Sequence, residues 1–190
     1  MFTSNTLAPV VIVLAAGRGE RFAASGGAVH KLQALLAGKR VIDHVLDAVK
    51  ASGLPYHVVE ADASRPGMGD SIAAGVKATP SATAWLILPA DLPLIQSDTL
   101  RKIAFAPPCA VTVPIYQGQR GHPVRFGLEC AVELLNLQGN QGAAQLIHAQ
   151  AATDSIAMID VDDIGCVMDV DTLDDLGRAE VVLLSRKSQS

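Results

Sequence analysis

Residues 10–14, Val-Val-Ile-Val-Leu, are apolar at every position and rich in β-branched side chains. A short unbroken run of this kind predicts a strand covered on both faces. Residues 40–52 follow the other period: Val41, Ile42, Val45, Leu46 and Val49 recur at helical spacing, and Gly53-Leu54-Pro55 supplies a glycine stop followed by proline. Residues 56–61 read as the next strand, and a helix starts near Asp70 or Ser71 and runs to Lys77. Residues 84–88 are again wholly apolar and predict a third buried strand. Ser97 or Asp98 can cap a short helix through Phe105. Strands at 109–115 and 123–126 flank the turn-rich Gln117-Gly118-Gln119-Arg120-Gly121. Helices at 128–137 and 142–150 precede strands at 155–161 and 166–170, and an amphipathic helix over 172–184 closes the pattern.

Strands alternating with helices predict a three-layer α/β/α sandwich around a mainly parallel, Rossmann-like sheet. Ligands of such sheets bind beyond the carboxyl ends of the strands, so the loops after Leu14, Ala61, Leu88, Phe126 and Val170 are the places to look. The chain has 190 residues, which at about 150 residues per domain suggests a single domain over 1–190 with a core near 9–184. Aromatics are 4% against 49% apolar residues, so Val, Ile, Leu and Ala must fill the core. A net charge of −4 and the lack of a basic run remove a nucleic-acid footprint. The longest apolar stretch, residues 7–16, falls well short of the about 20 residues a membrane span needs. Residues 1–6 carry no Lys or Arg, which weighs against a secretory leader. Cys109, Cys130 and Cys166 form no C-x-x-C pair, so the cytoplasm is the expected compartment.

Candidate chemistry gathers in the expected loops. Leu14-Ala15-Ala16-Gly17-Arg18-Gly19-Glu20-Arg21-Phe22 runs off a strand into glycines whose backbone N–H groups can hold phosphate oxygens, and Arg18, Arg21 and the later Lys31 add positive charge. The loop is not G-x-G-x-x-G, because Phe22 stands at the third glycine, and a plain glycine turn would have the same spacing. Leu88-Pro89-Ala90-Asp91-Leu92-Pro93 sets a carboxylate between stiffening prolines at a strand end, suited to Mg²⁺ shared with phosphate oxygens; a turn-forming Asp is the alternative. Residues 69–73 fall one glycine short of a G-x-S-x-G nucleophile elbow and no apolar strand runs into Ser71, which argues against a hydrolase. His122 is either a strand-edge residue or a substrate contact. Asp169, Asp171 and Thr172 are helix caps or part of a metal site. Asp160, Asp162 and Asp163 read as a solvated loop.

The run from Leu14 to Phe22, with Lys31 after it, resembles the opening loop of the molybdenum-cofactor nucleotidyltransferases, L-A-[AG]-G-x-S-x-R-[MF]-G with a following lysine. Gly19 replaces the frequent serine, and the spacer over 23–30 is longer than usual. Pro89-Ala90-Asp91-Leu92-Pro93 is similar to the family's P-A-D-x-P magnesium motif. The segment holding Gly69, Ser71 and Gly75 resembles its nucleotide wall, G-x-x-x-S-[LI]-x-x-G. Gly121-His122-Pro123-Val124-Arg125-Phe126 looks like its G-H-P-[VA]-x-[FL] strand, and residues 169–176 like its D-[IV]-D-T-x-x-D-[LY].

The resemblance implies a nucleotide-diphospho-sugar transferase-like fold and nucleotidyl transfer. Leu14, Ala15, Ala16, Gly17, Arg18, Gly19 and Arg21 would bind the nucleotide, and Asp91 would hold Mg²⁺ with Asp169 or Asp171. Lys31, Arg21 and Asp91 would be catalytic, and His122 and Arg125 would face the acceptor. In this family an L-A-A-G loop goes with CTP and L-A-G-G with GTP, so the nucleotide implied is CTP. The implied acceptor is molybdopterin or its molybdenum form, and the dinucleotide product would pass to a molybdenum hydroxylase or its maturation factor. The alternatives are guanylyl transfer to the same cofactor, or transfer to a sugar or isoprenoid alcohol phosphate. A non-catalytic cofactor chaperone would have no use for Asp91.

Overall fold

The computed structural model describes residues 8–62, 67–151 and 155–188. Residues 1–6, read above for a leader, lie outside them. The first apolar run becomes β1 (Val10–Ala15), followed by α1 (Glu20–Ala24), a 3-10 turn at Lys31–Gln33, and a small ribbon of β2 (Leu35–Leu36) and β3 (Lys39–Arg40). The period-3.6 stretch forms α2 (Val41–Ser52), which ends at Gly53 with a left-handed φ of 71°. Glycine enters that conformation without steric cost, so the helix stops where the sequence says it should.

The chain continues through β4 (Tyr56–Glu60), α3 (Met68–Ala78), β5 (Ala84–Pro89), α4 (Ser97–Ala104), β6 (Val111–Tyr116), β7 (Gln119–Arg120) and β8 (Val124–Gly127). The last elements are α5 (Ala131–Leu135), α6 (Ala144–Ala151), β9 (Ile156–Asp160) and α7 (Leu173–Lys187). Seven strands make one sheet in the order β4-β1-β5-β8-β6-β7, with β9 beside β6. β1 pairs parallel with β4 and β5, and β6 parallel with β9, while β8 runs antiparallel between β5 and β6. The sheet is mainly parallel, as the alternation of elements predicts.

Helices cover both faces. In β1, Val11 and Val13 pack with Val41, Val45, Leu100, Ile103 and Ala179 of α2, α4 and α7. Val10 and Ile12 point the other way, onto Ile72, Val76 and Leu134 of α3 and α5. The run of five apolar residues is therefore explained by two cores, one on each face. α3 starts two residues earlier than predicted, because the Asp70 carboxylate accepts a hydrogen bond from the Gly67 N–H at 3.2 Å and acts from inside the first turn. β2, β3 and β7 are two-residue elements, too short to carry a period.

Residues 166–170 are not a strand. The chain makes a 3-10 turn at Ile164–Cys166 and then crosses the sheet ends without regular pairing. The Cys166 carbonyl accepts from the His122 N–H and the Val170 N–H donates to the Asp91 carbonyl, so this backbone is satisfied by loops instead of a ladder. Among the described residues, no helix is long and apolar enough to cross a membrane.

Candidate active site

The loops after β1, β5 and α7's leading segment meet at the carboxyl ends of the parallel strands. Backbone bonds join them: Ala90 N–H donates to the Leu14 carbonyl at 3.1 Å, and Val170 N–H to the Asp91 carbonyl at 2.9 Å. A cleft of about 670 Å³ opens there. Leu14, Ala16, Gly17, Arg18, Gly19 and Arg21 line one side, Lys31, Asp91, Asp169 and Asp171 its floor and mouth, and Gln119, Arg120, Gly121 and His122 the opposite wall.

Lys31 holds the floor together. Its ammonium donates to Asp91 Oδ2 at 2.5 Å and to Asp171 Oδ1 at 2.6 Å, and Arg21 lies 2.7 Å from Asp171 Oδ2. Burial alone would lower the Lys31 pKa, but Asp91 and Asp171 outweigh it and hold the ammonium above its ordinary value. Partial burial, then the negative charge of Asp171 and Asp91, raises the Asp169 pKa above the usual carboxylate range. The longer spacer over 23–30 does not leave Lys31 in solvent. Its backbone sits in the 3-10 turn, where the residue is buried.

A second carboxylate sets the loop that carries Asp169 and Asp171. Asp163 is 2% exposed and accepts from Gln96 N–H, Thr99 Oγ, Gly165 N–H and the Arg186 guanidinium, at 2.8–3.1 Å. It is a buried anchor, not part of a solvated loop. Thr172 takes the capping role at α7 by accepting from the Asp175 N–H at 3.1 Å, which leaves the Asp171 carboxylate to Lys31 and Arg21.

His122 has an orphaned, buried Nδ1. Burial pulls its pKa below the ordinary imidazole value, against an opposing hydrogen bond at Ile87 and the charge of Asp91. The residue lines the cleft, and its neutral imidazole carries hydrogen-bonding capacity that no described residue uses. Arg125 does not line the cleft. Its guanidinium donates to the carbonyls of Ala104, Ala106 and Pro107, away from the cleft-lining residues. The reason is register: Arg125 pairs with Leu86, whose side chain lies in the core with α4, so strand alternation turns it from the side that His122 serves. Arg120 replaces it. It stands on β7 at the cleft wall, exposed and without an ion pair among the described residues. The sequence marked it only as part of a turn.

Ala15, Gly69 and Gly75 do not line the cleft either. A Cβ at Gly75 would lie 2.6 Å from Ile12, and one at Gly69 would lie 2.5 Å from the Gln141 carbonyl, so both glycines let neighbours approach α3. Ser71 does line the cleft, buried, with its hydroxyl donating to the Gly67 carbonyl at 3.0 Å. Asn140, from the loop packed against α3, lines it as well and carried no sequence signal.

Among the described residues, no three His, Cys, Asp or Glu side chains form a ready metal cage. Mg²⁺ does not require one, because it binds through one or two carboxylates with substrate phosphates and waters completing the shell. Asp91 Oδ1 is buried without a hydrogen-bond partner. An oxygen-only donor set with one unsatisfied carboxylate oxygen fits a hard divalent cation.

The chain matches the family described as the MobA-like NTP transferase domain over residues 11–154. It is 27% identical over 187 residues to the purine catabolism protein PucB of Bacillus subtilis, covering 85% of this chain and 90% of that one. Among solved structures it is similar to Rv0371c of Mycobacterium tuberculosis H37Rv, with a TM-score of 0.73, 27% identity, and coverage of 90% and 96% of the two chains. Another structure of that protein is a complex with manganese. A nucleotidyl transferase from Methanothermobacter shares the fold with a TM-score of 0.78 at 22% identity, over 94% of this chain and 99% of that one.

Proposed function

We propose that this chain, which belongs to the family of MobA-like NTP transferase domains, transfers CMP from CTP to the phosphate of a molybdopterin-type cofactor and releases pyrophosphate. Nucleotidyl transfer to a small molecule is the activity of its class; the nucleotide, the acceptor and the metal are the proposal. The observation that carries it is the meeting of Lys31, Asp91 and Asp171 at 2.5–2.6 Å beneath the glycine loop, with Asp91 Oδ1 left unpaired.

Triphosphate binds against residues 16–21, with Arg18 and Arg21 offsetting its charge. A phosphate oxygen of the acceptor attacks the α-phosphorus in line; the new P–O bond forms as the bond to pyrophosphate breaks. No covalent enzyme intermediate is needed, so the protein contributes position and charge. Lys31 faces the charge that builds up as the α-phosphate is transferred. Asp91, with Asp169 or Asp171 as the second carboxylate, would hold Mg²⁺, which would supply positive charge to the phosphate oxygens. His122 and Arg120 meet the acceptor from the opposite wall. Ala16 lines the cleft, and on this reading its methyl group would leave less room for a purine base. The manganese complex of Rv0371c supports a divalent ion, and the likeness to a purine catabolism protein supports a recipient enzyme that acts on purines.

The test is incubation with each NTP, Mg²⁺ and molybdenum-loaded molybdopterin, followed by identification of the dinucleotide. A cytosine dinucleotide is expected. Product formation only on a sugar or isoprenoid alcohol phosphate would move the chain to another acceptor within the same class.

A further inference from the structure

We infer that His30 is a positioning residue that locks the glycine loop and the Lys31 turn into one unit, an inference resting on the reading of both as triphosphate-binding. His30 does not line the cleft. Its Nε2 lies 2.7 Å from the Gly17 carbonyl, thirteen positions back along the chain. Its Nδ1 accepts the Leu32 N–H at 3.3 Å and so caps the 3-10 turn that begins with Lys31. A nitrogen that accepts carries no proton, so the neutral ring keeps its proton on Nε2 and donates to Gly17. One imidazole thereby joins two backbone segments by opposite chemistry at its two nitrogens.

A third contact comes from Gly19. Its φ is +67°, and a Cβ there would lie 3.1 Å from His30 Cδ2 and 3.2 Å from Nε2. The ring occupies the space that a side chain at position 19 would take. This accounts for the glycine found where the resembled loop usually carries serine, and it ties that departure to the other one, the long spacer over 23–30. A longer spacer would let Lys31 drift from the loop, and His30 closes it again.

The consequence for the site is electrostatic. A Gly17 carbonyl held by an imidazole cannot rotate into the cleft, where its oxygen would repel phosphate oxygens. With the turn capped, Lys31 stays at the floor. His30 thus acts on the nucleotide through Gly17 and Lys31, not by touching it.

The experiment compares His30→Ala and His30→Gln with the wild type, reading nucleotide Kd by calorimetry, KM for nucleotide and for acceptor, kcat and Tm. His30→Ala should weaken nucleotide binding about tenfold, the scale of one hydrogen bond and a loosened loop, with acceptor KM unchanged within about twofold. His30→Gln keeps an N–H near the Nε2 position and should recover part of the nucleotide affinity. In a Lys31→Ala background, His30→Ala should cost less than it does alone, because the two act as a unit. Equal losses for nucleotide and acceptor, no difference between Gln and Ala, or full additivity with Lys31→Ala would each overturn the inference. A wild type that binds no NTP overturns the functional reading with it, whereas tight wild-type binding left unchanged in His30→Ala overturns the strut alone.

Discussion

The Lys31 ammonium lies 2.5 Å from Asp91 Oδ2 and 2.6 Å from Asp171 Oδ1, between two of the carboxylates proposed to hold a divalent ion. On the proposed reading, metal and ammonium draw on the same two carboxylates, the ion reaching Asp91 through its unpaired Oδ1. Removing one partner of a buried ion set leaves uncompensated charge and is costly, by about 3–5 kcal/mol in known cases. Lys31→Met should accordingly lower the Tm of the metal-free protein, and added Mn²⁺ should raise it by a larger increment than it raises the wild type. Equal increments measured by differential scanning fluorimetry would show that the two cations do not share a site.

Asp91→Asn keeps shape and removes charge. Turnover should fall by about two to four orders of magnitude, while circular dichroism and Tm stay close to wild type because Asp171 still holds Lys31. Full activity of this variant at any Mg²⁺ concentration would take Asp91 out of the site.

Nucleotide choice should follow Ala16. The wild type is expected to prefer CTP over GTP in direct competition, and Ala16→Gly to relax that preference by about tenfold, since one methyl accounts for about 1–3 kcal/mol of discrimination. A mainly guanine product from the wild type would replace CTP by GTP in the reaction and leave nucleotidyl transfer standing.

The two arginines of the 119–127 region should separate cleanly. Arg120→Ala is expected to raise acceptor KM about tenfold or more with nucleotide KM unchanged, as loss of a phosphate-facing guanidinium would do. Arg125→Ala removes three hydrogen bonds to carbonyls and should destabilise by about 2–3 kcal/mol while kcat per folded molecule is kept. An acceptor KM that moves with Arg125 and not with Arg120 would reverse the assignment.

Burial lowers the His122 pKa below 6.5, so the unfolded chain binds the proton more readily than the folded one. The neutral ring's contribution is therefore complete above about pH 6.5 and is lost as the pH falls from there toward the folded value. Tm should drop between pH 7 and pH 5, and His122→Gln should flatten that slope. An unchanged slope would mean that His122 is solvated in the native protein.

Much of this was legible in the sequence. The apolar runs at β1 and β5 and the glycine-proline stop after α2 were readable because each is a local signal longer than its noise. The Gly-rich loop, Lys31 and Asp91 were readable because the loops at strand ends share one side of a parallel sheet. The misassignment of Arg125 has a physical source: neighbours in a motif do not share a face of a strand, and its pairing with Leu86 sets it on α4's side. Asp163 looked solvated because its neighbours Asp160 and Asp162 are acidic, and its partners, Gln96, Thr99 and Arg186, are far away in sequence. The stretch 166–170 has strand composition, but its hydrogen bonds are taken by His122 and Asp91.

Lys31 and Asp171 are separated by 140 positions. During synthesis Lys31 is therefore offered Asp91 well before Asp171, which is added only after β9, the last strand of the described sheet. Asp171 lies in the segment that Asp163 anchors through Arg186 of α7, so the seating of that helix and the completion of the anionic floor are linked. A fragment that stops after β9 carries every strand of the described sheet yet lacks Asp171, and so has only one of the two carboxylates that Lys31 pairs with.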